Sequence, residues 1–151
     1  LFVAGDAAII KPFLLYRTYH GSAMNPVVQQ ASIAAWSDER HVAENRELYR
    51  AKFAQVTPML AQVLDVALPD AGFYLWADVS RTGLDDVAYA CGLLAQYNVA
   101  VLPGSLLARA VTDERQRAVN PGTGRIRLAL VASVDECLEA ARRIVAHTRT
   151  L

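Results

Sequence analysis

Two arginines stand apart in this sequence. Arg125 and Arg127 alternate with Ile126, Leu128 and Leu130, and in an extended strand that alternation sends both guanidinium groups to one face and the aliphatics to the other. A cation in such a core-like strand is costly unless an acid or a water-filled cleft receives it. The spacing leaves two readings open. Both arginines reach solvent or pair with acids at a sheet edge, or one guanidinium is held ready for a carboxylate ligand, which its planar fork grips through two parallel hydrogen bonds. Arg17 is a third candidate. It closes an apolar helix just before Thr18-Tyr19-His20-Gly21-Ser22, where a cation is favoured by the helix dipole.

Other chemistry leaves little trace. There is no phosphate-binding glycine loop, no pair of histidines at metal-ligand spacing and no serine elbow, so no metal site is expected. His20, His41 and His147 lie far apart in the chain. His41 and His147 read as solvated side chains on charged helix surfaces, and His20 as a loop residue with a structural role. Asp85 and Asp86 open a helix and suit the positive end of its dipole better than a catalytic pair. Cys91 and Cys137 fall inside helical patterns, at neither disulfide-like nor metal-ligand spacing, which favours a reducing, cytoplasmic setting. The formal net charge of zero gives no electrostatic footprint for nucleic acid or an anionic membrane.

The elements that must position these residues can be read from periodicity. Phe2 to Ala4 is a short strand turning at Gly5-Asp6, and Asp6 caps a helix from about Ala7 to Tyr16. Pro26 starts a second helix, to about Trp36. Ser37-Asp38 opens the longest helix, whose stripe Val42, Tyr49, Phe53, Val56, Leu60 and Val63 predicts one apolar face, with a kink or break at Pro58 and continuation beyond it. The period then becomes two. Phe73, Leu75, Ala77 and Val79 share one strand face, and Tyr74, Trp76 and Asp78 the other. Thr82 and Asp85 resemble a capping box for a helix ending near Asn98, and Ser133 with Glu136 caps the last helix, to about His147. Between these lie a short strand at Val99 to Leu102, a charged loop, and the strand Arg125 to Val131. The uncharged run from Val87 to Ala108 reads as a buried helix and strand, because Pro103-Gly104 would break a membrane span. The 151 residues suffice for one ordinary domain, and the change in character near Ser37 predicts a boundary there, dividing 1–36 from 37–151. Leu1 in place of Met, with a strand entered in mid-flow, suggests part of a longer protein.

Several segments together resemble the class I/II aminotransferases, which are fold-type I enzymes dependent on pyridoxal phosphate (PLP). Pro69-Asp70-Ala71-Gly72-Phe73-Tyr74-Leu75-Trp76 is similar to the family's P-x-G-G-x-F/Y-x-W stretch. Val99-Ala100-Val101-Leu102-Pro103-Gly104-Ser105 resembles its V-x-V-x-P-G-S segment, and Gly124-Arg125-Ile126-Arg127-Leu128-Ala129-Leu130 its G-x-x-R-h-x-h strand, where h is apolar. The runs Leu14 to Met24 and Asn120 to Arg127 are similar, more narrowly, to N-succinyldiaminopimelate aminotransferases.

The resemblance implies an α/β fold with an α+β small domain: a small mixed sheet packed against helices, after a long kinked helix, with residues 1–36 forming the tail of the large PLP-binding domain. It implies ping-pong transfer of an amino group between glutamate and N-succinyl-2-amino-6-ketopimelate, in a homodimer, for lysine and diaminopimelate synthesis. By register Arg127 falls on the family's clamp for the substrate α-carboxylate, and Arg17 on an arginine that reaches a distal carboxylate across the dimer. The departure concerns the cofactor. The family's Schiff-base lysine lies in an S-K or S-x-x-K stretch followed by an arginine, and neither Lys11 nor Lys52 has that context. This chain is therefore expected to lack the catalytic lysine, to hold no covalent PLP, and to be inactive alone. Two rivals remain: another fold-type I enzyme, such as a different aminotransferase or a C–S lyase, and a non-catalytic aminotransferase-like effector or dimerisation module of a regulator.

Overall fold

In the computed structural model, residues 3–21 and 23–151 are described, and the chain divides into two compact units, Leu1–Ala43 and Glu44–Leu151. The first unit holds two helices. Helix α1 (Ala7–Tyr19) starts where the Asp6 carboxylate accepts the Ala8 N–H at 2.7 Å, and it runs three residues further than the periodicity predicts, so Arg17 lies inside its last turn. Helix α2 (Pro26–Ser37) has its proline in the first turn and Asn25 as its cap. Neither helix buries a residue, and Ile9, Leu14, Leu15, Val27, Ile33 and Trp36 are all exposed. Of the strand expected at the start, Phe2 lies outside the described residues, and Val3 and Ala4 are not in a strand.

Helix α3 (Arg40–Leu60) begins after Asp38, whose carboxylate accepts the Arg40 N–H. Pro58 lies inside it, and the helix stops two residues later. A proline has no N–H for the ladder and crowds the carbonyl four residues back. The apolar stripe nevertheless keeps its phase for one more turn: Phe53, Val56 and Leu60 are buried, and Leu64 follows them into the core from a turn closed by its N–H on the Leu60 carbonyl.

The remainder alternates short strands and helices: β1 (Asp65–Val66), β2 (Tyr74–Asp78), a 3-10 turn (Ser80–Thr82), α4 (Asp86–Tyr97), β3 (Leu102–Pro103), α5 (Gly104–Leu107), β4 (Val111–Thr112), β5 (Ala118–Val119), β6 (Arg125–Ala129) and α6 (Val134–Arg149). Four strands form one sheet in the order β1-β2-β6-β3, and β4 and β5 form a separate hairpin in what reads from sequence as a charged loop. Every ladder is antiparallel rather than mixed. One face of the sheet is the core face. Leu75, Ala77 and Val79 from β2 and its end, with Ile126, Leu128 and Leu130 from β6 and its end, pack among Phe53, Val56 and Leu60 of α3, Tyr89 and Leu93 of α4, and Cys137, Ala141 and Ile144 of α6. The period-two patterns of both strands thus place their aliphatics as predicted, except that Phe73 is exposed.

Two helix starts carry capping signals in the sequence. Ser133 and Glu136 form the full reciprocal box at α6. Thr82 does not cap α4. The chain turns at Gly83, with φ of +79°, so the helix start moves on to Asp85, whose carboxylate accepts the Ala88 N–H at 2.7 Å. The Thr82 hydroxyl instead donates to the Val79 carbonyl. The uncharged run from Val87 is an amphipathic helix rather than a buried one, with Val87 and Leu94 exposed. Among the described residues no helix is long and apolar enough to cross a membrane.

Candidate functional site

The face of the sheet opposite the core carries the candidate site. Trp76 of β2 and Leu102 of β3 are the register partners of Arg127, one on each side, and Asp78 is the partner of Arg125. Antiparallel pairing puts partners on the same face, so Tyr74, Trp76, Asp78, Arg125 and Arg127 share it. The fates of the two arginines differ. Arg125 is exposed and its Nη2 lies 3.6 Å from Oδ2 of Asp78. That carboxyl is held below its ordinary pKa, first by hydrogen bonds from Ser80 and then by the nearby positive charge of Arg125. Arg127 is half-buried, and its Cζ lies 5.0 Å from the centroid of the Tyr74 ring. Its Nε is buried, and among the described residues it has no hydrogen-bond partner and no acid pairs with the side chain.

That contrast separates the two arginines. Arg125 is the arginine already matched to an internal acid. Arg127 is stacked on an aromatic ring, which orients its plane, and holds an unspent donor. A buried N–H without a partner costs free energy and in native proteins calls for an explanation. A carboxylate arriving in the guanidinium plane supplies one, because it accepts from two N–H groups at once.

Arg17 belongs to the first unit. Its side chain is exposed, its Nη1 donates to the His20 carbonyl at 3.2 Å, and it lies against Gly21. That contact meets a carbonyl at the end of α1, where a cation also suits the helix dipole. Arg17 also lines an open cavity of about 740 Å³ with Val3, Ile10, Phe13, Leu14, Tyr16 and Met24.

The histidines correct one expectation. His20 and His41 are exposed, His41 against Asp38 at 3.2 Å. His147, expected on a solvated surface, is 1% exposed. The charged residues around it belong to the outer face of α6, whereas its own position falls in phase with Cys137, Ala141 and Ile144. Its ring lies between Tyr89 and Tyr97, with centroids 5.1 and 5.4 Å away, and neither ring nitrogen has a hydrogen-bond partner. Desolvation pushes its pKa below the ordinary value, and the nearby Tyr89 backbone offsets this only in part.

Asp86 was legible only as one of two acids at a helix start. It is buried, at 2% exposure, and it reaches the segments next to β3 and β6: Oδ2 accepts the N–H of Ser105 in α5 at 2.8 Å and Oδ1 the Gly124 N–H at 3.3 Å. The only available signal was redundancy, because Asp85 alone is enough to cap the helix.

Lys52 is buried, with Nζ donating to the Leu130 carbonyl at 2.9 Å and lying 4.9 Å from the centroid of the Tyr49 ring. Lys11 is exposed on α1. The first is occupied as a cap on the end of β6, and the second stands in no enclosed site. Neither fits a covalent anchor for an aldehyde cofactor.

Comparison with known proteins agrees with the strand geometry. The family pattern Aminotransferase class I and II matches residues 4–144. This chain belongs to that family. A probable aminotransferase of Mycobacterium tuberculosis is 31% identical over 144 residues, 95% of this chain and 31% of that protein. A crystal structure of an aminotransferase from Neisseria meningitidis superposes with a TM-score of 0.77 at 55% identity, over 95% of this chain and 35% of the other. A probable N-succinyldiaminopimelate aminotransferase from Thermus thermophilus gives a TM-score of 0.52 at 33% identity, over 66% of this chain and 24% of the other. The chain thus spans about a third of the length of the relatives it matches. The fold is that of fold-type I aminotransferases, and the family is PLP-dependent.

Proposed function

We propose that this chain is the substrate-clamping portion of a PLP-dependent aminotransferase, with residues 37–151 as the small domain and 1–36 as the tail of the large cofactor-binding domain. Arg127 holds the α-carboxylate of the amino-acid or keto-acid substrate. The observation that carries this is the buried, partnerless Nε of a guanidinium stacked on Tyr74. Arg125 does not compete for the role, because Asp78 already faces it.

The substrate pair is glutamate and N-succinyl-2-amino-6-ketopimelate. The motifs around Arg17 and Arg127 support it, as does the likeness to the Thermus thermophilus protein, whose name includes N-succinyldiaminopimelate. In a homodimer, Arg17 takes a distal carboxylate. The protein works in the cytoplasm. PLP supplies the electron sink for amino-group transfer, and the lysine that anchors it is contributed from outside this chain, which on its own is inactive.

The test is Arg127→Ala and Arg127→Lys in the PLP-loaded protein. Arg127→Ala raises the KM for glutamate strongly, and Arg127→Lys restores only part of the loss, because an ammonium is a point charge without the planar fork. An unchanged KM in Arg127→Ala overturns the assignment. The substrate is tested separately, by screening N-succinylated against unmodified keto-acids.

A further inference from the structure

Strand β6 pairs with β2 through five residues on one side of Arg127, but on the other side Arg127 has very little ladder. Strand β3 contributes two residues, Leu102 opposite Arg127 and Pro103 opposite Ile126, and so short a strand has few hydrogen bonds with which to fix its own register. Beyond it the chain enters α5 at Gly104, and β6 is entered from a turn that holds Gly122 and Gly124. Gly104 and Gly122 approach so closely that a β-carbon on either would collide with the other's backbone. Three residues past Leu102 stands Ser105, and three residues before Arg127 stands Gly124. The Asp86 carboxylate joins these two points, one oxygen on each N–H. Asn120 ties the same segments from the far side: its Nδ2 donates to the Ser105 carbonyl at 2.9 Å, and its Oδ1 accepts the Gly122 N–H at 2.9 Å.

We infer that Asp86 is a positioning residue for Arg127: its buried carboxylate brackets the end of β3 to the start of β6 and so sets where the guanidinium stands. Two features make a carboxylate necessary. The Ser105 and Gly124 N–H groups each face one carboxylate oxygen, and the Ser105 side chain adds a further hydrogen bond, so both side-chain atoms must be acceptors, and an amide of the same shape offers only one. The site is also buried, where charge-assisted hydrogen bonds are strong and a misplaced donor is costly. Burial by itself would raise this carboxyl's pKa, but hydrogen bonds from Ser105 and then Gly124 outweigh it, so the group stays ionised at neutral pH. Asp85 completes the division of labour by capping α4, which leaves Asp86 free for the bracket.

The kinetic part of the test rests on the carboxylate reading of Arg127, and the spectroscopic part does not. In the nitrogen-15-labelled chain, the Arg127 Nε–H signal is identified by its loss in Arg127→Lys. Asp86→Asn shifts that signal. In the PLP-loaded protein Asp86→Asn raises the KM for glutamate by about tenfold with kcat changed less than about threefold, and in an Arg127→Ala background the same substitution alters KM by less than about twofold. If Asp86→Asn does not fold, Asn120→Ala, which opens the bracket from the other side without leaving a charge unpaired, moves the same signal. An Arg127 signal unmoved in a folded variant overturns the inference, and so does an equal KM penalty with and without Arg127. A signal that moves while Arg127→Ala leaves KM unchanged supports the bracket and overturns the carboxylate reading instead.

Discussion

Replacing Arg127 with Met separates ligand binding from folding, because methionine keeps the stem over Tyr74 and removes the fork. On the binding side, two unit charges about 4 Å apart at an effective dielectric of about 20 interact by about 4 kcal/mol. Desolvation cancels much of that, and hydrogen bonds to charged groups retain about 1.5–3 kcal/mol. That corresponds to a loss of about 10- to 150-fold in affinity for the carboxylate substrate. On the folding side, two small effects oppose each other. The contact between the guanidinium and the Tyr74 ring, at 5.0 Å, is worth about 0.5–1 kcal/mol at a site this open. The buried Nε without a partner costs about 1–3 kcal/mol, and the substitution removes that cost. Arg127→Met should therefore lose no more than about 1 kcal/mol of stability and can gain about as much or more. The assays are the KM for glutamate in the PLP-loaded protein and the urea unfolding midpoint of the same protein. A variant that loses about 2 kcal/mol or more of stability while its KM stays put refutes the reasoning, since the arginine would then be structural.

His147 gives the protein a pH-dependent stability of definite sign. Its folded pKa lies below the ordinary value of about 6.5, so the unfolded chain takes up a proton first. Stability from this group is fully present above about pH 6.5 and is lost as pH falls, at no more than about 1.4 kcal/mol per pH unit for one proton. Urea midpoints measured from pH 7.5 to pH 5 should show this slope, and His147→Leu should flatten it; an equal slope in the variant would assign it to other groups. Gly104→Ala tests the close loop contact. The added methyl would meet the carbonyl oxygens of Gly122 and, at 2.8 Å, of Arg125, so the variant should be about 1–3 kcal/mol less stable, read as a lower urea midpoint. An unchanged midpoint would mean that the loops separate freely there.

How much was legible depends on the range over which each feature is decided. Period-two alternation in Phe73 to Val79 and Arg125 to Leu130 identified the two central strands and their core faces, because side-chain direction in a strand is local geometry. The capping box of Ser133 and Glu136 fixed the start of α6 in the same way. The short motifs around Tyr74, Pro103 and Arg127 were enough to name the family. Local pattern failed where a distant partner decides. Nothing near β1, β4 or β5 shows that two residues each will pair. The charged neighbours of His147 concealed a position whose helical phase points inward. The alternation put Arg125 and Arg127 on one face, but only the fold brought Asp78 opposite the first and left the Nε of the second without a partner. It also carried Asp86 to backbone N–H groups 19 and 38 residues away in sequence. Backbone direction and helix phase are set by neighbours a few residues apart, so the sequence alone determines them. Which donor meets which acceptor across the sheet depends on how the loops close, and only the tertiary structure decides that.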